Sequence, residues 1–451
     1  EATAQQHPRA IVLDKRIRPK PMPESLIEFA GQVAEALESG KEPTNARYDL
    51  LRRLPPRLRN NASIPTSVDT DAAVELAQQL NESILAIQGP PGAGKTHTGS
   101  HIIVALARMG KRVGVTAVSH KVIANLLEKS LEVSKEDGGP PVRIAQKKGD
   151  KTRFVKDLEF LGDMQNLESA LNERKIVGGT AWIWSNPRLA GKIDYLFVDE
   201  AGQMSLAMVL AAARAAKNVI LLGDPQQLEQ PQRADHPEGS EVAALTHLLD
   251  GKKTIAQSKG LFLGDTYRLH PAICKFTSEQ YYENRLSSID GLEVQTLIGG
   301  SKFTDSGLYF VPVEHEGNRS RSTEEVGVIR EIIRELQGHS WTHAREGTKP
   351  LGPKDILVVA PYNSQVAALR RSLKKTAMVG TVDKFQGQEG AVVIYSLTSS
   401  SVDDAPRGMS FLFSQNRLNV ATSRARCTTV VVGTPDLFAA WCSNVDQLRL
   451  A

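Results

Sequence analysis

The stretch Gly89-Pro90-Pro91-Gly92-Ala93-Gly94-Lys95-Thr96 restricts this chain more than any other. It fits G-x-x-x-x-G-K-[ST], and its flanks fit as well. Residues 84–87 are Ile-Leu-Ala-Ile, short and apolar enough for a buried parallel strand. Residues 101–107 are apolar on one face at helical spacing, so a helix is expected to open near His97. In a strand–glycine loop–helix unit the backbone N–H groups close around phosphate oxygens, and the helix N-terminus adds partial positive charge. Lys95 is then placed to reach the terminal phosphates of a nucleoside triphosphate, and Thr96 to hold a magnesium ion. Such a loop requires a parallel sheet behind it, so the fold class is α/β.

A second strand pattern, Tyr195-Leu196-Phe197-Val198, ends in Asp199-Glu200. Ligands of open parallel sheets sit outside the carboxyl ends of the strands. Asp199 is therefore expected to complete the magnesium coordination, and Glu200 to activate a water for attack on the γ-phosphate. A third strand, residues 219–222, runs into Gly223-Asp224-Pro225-Gln226-Gln227-Leu228. Gln227 can report a γ-phosphate through a neutral hydrogen bond; on composition alone the segment is a Gly-Asp-Pro turn.

The rest of the chain reads as two α/β blocks. Residues 1–62 form a basic, proline-spotted segment with helical patterns near 25–37 and 48–54. A first domain is expected over 63–258, with strands at 84–88, 112–117, 176–179, 195–198 and 219–222 and an insertion at 131–175. A second domain is expected over 259–451, with strands at 308–313, 356–360, 379–381, 392–396 and 429–432. At 451 residues the chain has room for two or three cores. Its three cysteines, Cys274, Cys427 and Cys442, form no C-x-x-C pair, which argues against zinc, iron–sulfur clusters and a disulfide framework. This points to a reducing compartment, read as a bacterial-type cytoplasm. No apolar run approaches the roughly 18–20 residues of a membrane-spanning helix. The net charge of +4 permits a polyanionic partner without requiring one. The basic cluster Arg143, Lys147, Lys148, Lys151, Arg153 and Lys156 suits phosphates, or a solvated loop equally well.

Taken in order, the phosphate loop, Asp199-Glu200-Ala201-Gly202-Gln203 and Gly223-Asp224-Pro225-Gln226-Gln227-Leu228 resemble the superfamily 1 helicases. Tyr267-Arg268-Leu269-His270-Pro271 narrows the resemblance to the 5′→3′ branch, which contains the nonsense-mediated-decay and DNA-replication helicases. The stretches Val379 to Glu389 and Arg417 to Arg426 complete the set. The wording around residues 383–388 and 416–426 is also similar to bacterial proteins in which a RecB-like nuclease precedes the helicase half. A truncated relative of such proteins, beginning at Glu1, is one expectation.

The resemblance implies two RecA-like parallel-sheet domains in tandem, with ATP in the cleft between them. It implies that Gly89, Pro90, Pro91, Gly92, Ala93, Gly94, Lys95, Thr96 and His97 surround the phosphates. Arg268 and Arg424 are implied to reach the transferring phosphoryl group from the second domain, Tyr267 to stack on the adenine, and Glu389 to lie near the ribose. The family's adenine-reading glutamine position holds Thr70. Ser119, His120, Thr180, Pro361, Tyr362, Asn363 and Thr381 match positions that track a nucleic-acid backbone, where Tyr362 can stack a base. The implied activity is ATP-driven 5′→3′ translocation and unwinding on single-stranded nucleic acid, DNA in preference to RNA. The protein would act as a monomer, with a nuclease domain or subunit as a partner. An RNA helicase, or an ATPase that clamps nucleic acid without separating strands, are the alternatives.

Overall fold

The structure, a computed structural model, describes residues 20–149, 157–173, 175–230, 241–300, 302–303, 305–385, 387–412 and 414–438. Arg16, Arg18, Lys151, Arg153, Lys156, Gln386 and Cys442 lie outside the described residues.

Strongly apolar strands build a first sheet in the N-terminal half. In chain order they are β1 (Ile84–Gln88), β2 (Val113–Thr116), β3 (Ile144–Lys147), β4 (Glu159–Leu161), β5 (Ile176–Gly178), β6 (Ile193–Val198), β7 (Ala216–Gly223) and β8 (Gly260–Phe262). They pair in parallel in the order β4-β3-β5-β2-β6-β7-β1-β8. A parallel sheet is covered on both faces, so its strands lose the in–out polar alternation of half-exposed strands. Leu85, Ile87, Phe197, Ile220 and Leu222 pack on one face with Ile102, Ile103 and Leu106 of the helix Lys95–Arg108. Ile84, Ala86, Leu196, Val219 and Leu221 form the other face.

The same logic builds the second sheet. After short strands β9 (Asp265–Thr266), β10 (Ser287–Ser288) and β11 (Leu297–Ile298) come β12 (Gly307–Pro312), β13 (Ser340–His343), β14 (Gly347–Pro350), β15 (Ile356–Val359), β16 (Met378–Gly380), β17 (Gly390–Ser396) and β18 (Ala425–Gly433). The strands β12-β18-β17-β15-β16 form a parallel sheet in that order. Its Leu357, Val359, Val393 and Tyr395 join the core that holds Ile84 and Val219, so the two sheets share a packed interior. The antiparallel group β11-β13-β14 packs on the opposite face through Leu297 and Trp341, against Ile329, Ile333 and Leu336. The fold class expected from the sequence, two parallel α/β domains in tandem, is the fold observed.

One expectation about organisation needs correction, and two other segments gain definition. The boundary near residue 258 falls too early, because β8 pairs with β1 and extends the first sheet to Phe262. A Cβ at Gly260 would lie 2.2 Å from the Ala86 carbonyl oxygen, so glycine alone fits there. The 131–175 insertion contributes β3 and β4, two further strands of the sheet, with Ile144 and Ala145 buried. The N-terminal helical segment packs on the first domain. The helix Met22–Glu38 lies on the helix Leu206–Ala212, and Ser25 Oγ donates to the Ala211 carbonyl at 2.9 Å. Arg47 sits 4.2 Å over the Phe29 ring and donates to the Ser25 carbonyl at 2.7 Å, while burial lowers its pKa to about 10. Arg53 and Arg57 are paired with Asp250 and Asp49.

Candidate nucleotide site

The carboxyl end of β1 leads directly into the glycine loop. Gly92 and Gly94 adopt φ of +74° and +78°, which L side chains rarely accept. A Cβ on Gly92 would lie 2.5 Å from Arg268 Cβ and 2.6 Å from Thr266 Oγ1. The loop is therefore pressed against residues 265–268. Thr266 Oγ1 donates to the Pro91 carbonyl at 2.8 Å, and the Tyr267 N–H donates to the Gly92 carbonyl at 2.9 Å. Arg268 was expected to belong wholly to the second domain. The two residues before it are instead stitched to the phosphate loop, while its own carbonyl accepts from Gln295 Nε2 at 2.8 Å and its side chain reaches the second sheet. There its Nε donates to Glu389 at 2.6 Å and its Nη1 to the Ser423 carbonyl at 3.3 Å.

The two carboxylates after β6 face the loop lysine. Lys95 Nζ lies 3.0 Å from Glu200 and 3.8 Å from Asp199. Burial alone would lower the Lys95 pKa; Glu200, Asp199 and Asp224 outweigh it and raise it. Burial, with help from Glu200, raises Asp199 against the pull of Lys95. Glu200 is held at φ +54°, an unfavourable conformation for any residue that carries a Cβ, and its side chain lines the cavity.

A third group joins the two domains. Asp224, buried after β7, accepts from Tyr282 Oη at 2.6 Å and from Gln227 Nε2 at 2.8 Å. The other end of that amide, Gln227 Oε1, accepts from Arg424 Nη2 at 2.9 Å. Nearby, Asn416 Nδ2 donates to the Pro225 carbonyl at 3.0 Å and Asn419 Nδ2 to the Gln226 carbonyl at 2.8 Å. The helix Gln415–Thr422 of the second domain thus docks on the loop that carries Gln227.

Arg424 is 3% exposed, and no carboxylate among the described residues stands within ion-pair distance of it. Its Nε has no hydrogen-bond partner among them either. Burial and the neighbouring Arg268 lower its pKa to about 9. Glu200 and Asp224 attract it only from beyond ion-pair distance, and a buried cation hydrogen-bonded only to a neutral amide is costly; an anion would offset that cost.

These residues line one cavity of about 400 Å³ between the sheets. Residues 89–97, Glu200, Gln227, Tyr267, Arg268, Glu389 and Arg424 all contribute to its wall. Asp199 does not; it stands behind Lys95. Glu389 bridges Arg268 and Arg426, and those two cations hold its carboxyl at about 2 in spite of burial. Leu292, His343, Ala344, Arg345, Gly387 and Arg426 also line the cavity, and sequence reasoning assigned none of them to the nucleotide. Arg426 lay inside a recognised stretch and could have been found by its spacing from Arg424. The hairpin β13–β14, which carries His343 to Arg345, gave only a weak strand pattern.

The proposed nucleic-acid positions are more dispersed. Ser119 caps the helix His120–Glu136 by accepting from the Val122 N–H, and Thr180 precedes the short helix Ala181–Trp184. Both follow strands at the edge of the first sheet that also carries the phosphate loop. Pro361 and Asn363 follow β15, and Thr381 follows β16, at the matching edge of the second sheet. Tyr362 is buried, with its ring 5.7 Å from Phe411, so it is not presented as a free stacking surface. In the basic cluster, Arg143 pairs with Glu173 and Lys147 donates to the Gly162 carbonyl.

Comparison with known proteins agrees with this architecture. Family profiles described as an AAA domain match residues 68–237 and 244–436. The chain is 26% identical to the DNA polymerase alpha-associated DNA helicase A of Schizosaccharomyces pombe, over 80% of this chain and 62% of that protein. It is 25% identical to the DNA-binding protein SMUBP-2 of Rattus norvegicus, over 89% and 45% of the two chains. It is also 25% identical to the ATP-dependent helicase upf1 of S. pombe, over 86% and 47%. The chain thus spans less than two thirds of the length of these relatives. A solved structure of Arterivirus nonstructural protein 10, a helicase, aligns at 16% identity with a TM-score of 0.43, covering 81% of this chain and 63% of that one. No helix among the described residues is long and apolar enough to cross a membrane. The two matched domains, the ordered motifs and the curated relatives agree: the chain belongs to the superfamily 1 helicases.

Proposed function

We propose that this chain is an ATP-driven motor that moves 5′→3′ on single-stranded nucleic acid, DNA in preference to RNA, and separates strands. The observation that carries this reading is Arg424, a buried cation of the second domain with no ion-pair partner among the described residues, hydrogen-bonded to Gln227 of the first. In this reading the nucleotide's charge completes the site. The glycine loop and Lys95 hold the phosphates, Glu200 orients and activates water, and Gln227, Arg268 and Arg424 stabilise the transferring group. Hydrolysis then depends on how the two domains meet, which is what a motor requires.

Magnesium fits the donors available. Thr96 offers a hydroxyl and Asp199 a carboxylate, both hard oxygen ligands, and phosphates with water would supply the rest. When bound, the ion would supply positive charge against the charge that develops on the transferring group. The preference for DNA rests on the names of two relatives, a DNA helicase and a DNA-binding protein; the upf1 relative keeps RNA as the competing substrate. Nucleic acid would cross the carboxyl edges of both sheets, past Ser119, His120 and Thr180 on one and Pro361, Asn363 and Thr381 on the other. A nuclease partner is part of the same proposal, on the strength of the relative named DNA replication ATP-dependent helicase/nuclease JHS1 of Arabidopsis thaliana.

The test is strand displacement on 5′-tailed and 3′-tailed duplexes, each of DNA and of RNA. Displacement is expected from 5′ DNA tails with ATP and magnesium. Displacement only from 3′ tails contradicts the direction. Stimulated hydrolysis without displacement supports a clamp or remodeller instead.

A further inference from the structure

We infer that the nucleobase is held across the domain interface between Tyr267 and Arg345, by its faces rather than its edge, so that the site accepts purine triphosphates with little discrimination between adenine and guanine. This deepens the proposed ATP site and rests on it.

A second cavity, of about 510 Å³, opens on the other side of Tyr267. It shares Gly92, Ala93, Gly94, His97, Tyr267 and Arg345 with the first, so the two form one groove past the phosphate loop. The phosphate end is fixed by the glycine loop. A base at the far end would therefore meet Tyr267, which is about half exposed, and Arg345, whose side chain is exposed.

The Arg345 guanidinium carbon lies 5.9 Å from the centre of the Tyr267 ring. A planar ring sandwiched between two groups needs roughly 7 Å, two contact distances of about 3.5 Å each. The guanidinium has to withdraw by only about 1 Å to admit a base between two stacking surfaces.

The turn that presents Arg345 is fixed. Buried His343 accepts through Nδ1 from the backbone N–H groups of Arg345 and Glu346, both at 3.1 Å. That assigns its proton to Nε2. Burial and nearby Arg426 lower the His343 pKa and keep the ring neutral for this role. Trp341, two residues earlier on the same face of the strand, anchors the hairpin in the core of the second domain. Arg345 therefore moves with the second domain, whereas Tyr267 is hydrogen-bonded to the phosphate loop of the first.

The groove has little with which to read a base edge. No asparagine or glutamine amide lines its far cavity. Asp69 is occupied in capping the helix Thr70–Gln78, accepting from the Ala72 N–H at 2.8 Å. Thr70 offers one hydroxyl, and Asp71 and Asp265 are exposed carboxylates. The two carboxylates are the side chains that could pair with a guanine edge, but no hydrogen bond or ion pair among the described residues holds either of them toward the groove, so no edge reader is preorganised here. Stacking treats adenine and guanine alike.

The experiment measures dissociation constants for ATP, GTP and inorganic tripolyphosphate with the wild-type chain and with Arg345→Lys, which keeps the charge and loses the planar fork. Wild-type affinities for ATP and GTP are expected within about tenfold of each other. Arg345→Lys is expected to weaken both by about fivefold and to shift tripolyphosphate by less than about twofold, since only the base loses a stacking surface. A wild-type preference for ATP above about 100-fold overturns the inference, as does an Arg345→Lys variant that binds ATP and GTP like wild type. The underlying phosphate site fails by a different result: Lys95→Ala binding tripolyphosphate as tightly as wild type.

Discussion

Lys95→Ala will reduce ATP turnover by at least about 10³-fold, because it removes the one loop cation aimed at the terminal phosphates. Two effects combine. The developing charge on the transferring group loses a direct electrostatic partner. Asp199 and Glu200, at 3.8 and 3.0 Å from the ammonium, lose the cation that offsets their burial. Breaking a buried pair by deleting one partner typically costs about 3–5 kcal/mol, so the alanine variant is expected to melt at a lower temperature as well. Lys95→Arg separates the two effects. It preserves a positive charge beside the carboxylates, so its Tm should stay closer to wild type. Its bulkier head cannot take the place of the ammonium in the loop, so turnover should remain lost. Turnover in either variant within tenfold of wild type would remove Lys95 from the site.

Arg424→Ala will lower turnover by about 10³-fold while changing nucleotide affinity by no more than about tenfold. The stability effect distinguishes this residue from a structural arginine. A structural arginine is paired, and its loss leaves a buried acid alone. Arg424 has a neutral amide, an unpaired Nε and a second guanidinium nearby. Removing it relieves a desolvation cost and the repulsion of Arg268, which together outweigh the lost attraction of Glu200 and Asp224, while Gln227 keeps its hydrogen bond to Asp224. The Tm of the variant, measured without nucleotide, is expected to equal or exceed that of wild type. A large fall in Tm with turnover unchanged would assign Arg424 a structural role.

Much of this arrangement was legible in the sequence, for identifiable reasons. The strand at 84–88 and the loop after it were readable because a buried parallel strand must be wholly apolar and a phosphate loop must be glycine-rich. Asp199, Glu200 and Gln227 were readable because they end strands of the same sheet, and such ends converge on one edge. Arg268 and Arg424 were reached only through a family resemblance; nothing local distinguishes either from a surface charge. Arg268 stands where the domains meet: Thr266 and Tyr267 just before it are bonded to the phosphate loop, and its own side chain reaches Glu389. The hairpin with His343 and Arg345 escaped notice because its strands are four residues each and include Gly347, Lys349 and Pro350, a poor strand composition. Its stability comes from tertiary packing of Trp341, which no local pattern records. Tyr362 was expected to be available to a base; its burial against Phe411 follows from packing between β15 and a distant helix.

The central claim is that hydrolysis in the cleft between the two domains is coupled to a nucleic acid that spans both. Steady-state ATP turnover, measured against increasing concentrations of single-stranded DNA and of single-stranded RNA, tests it most directly. The coupled site predicts a saturable rise of at least about tenfold with one polymer or both, since aligning the domains completes the arginine side of the site. A turnover that is measurable and unchanged by either polymer would contradict the account.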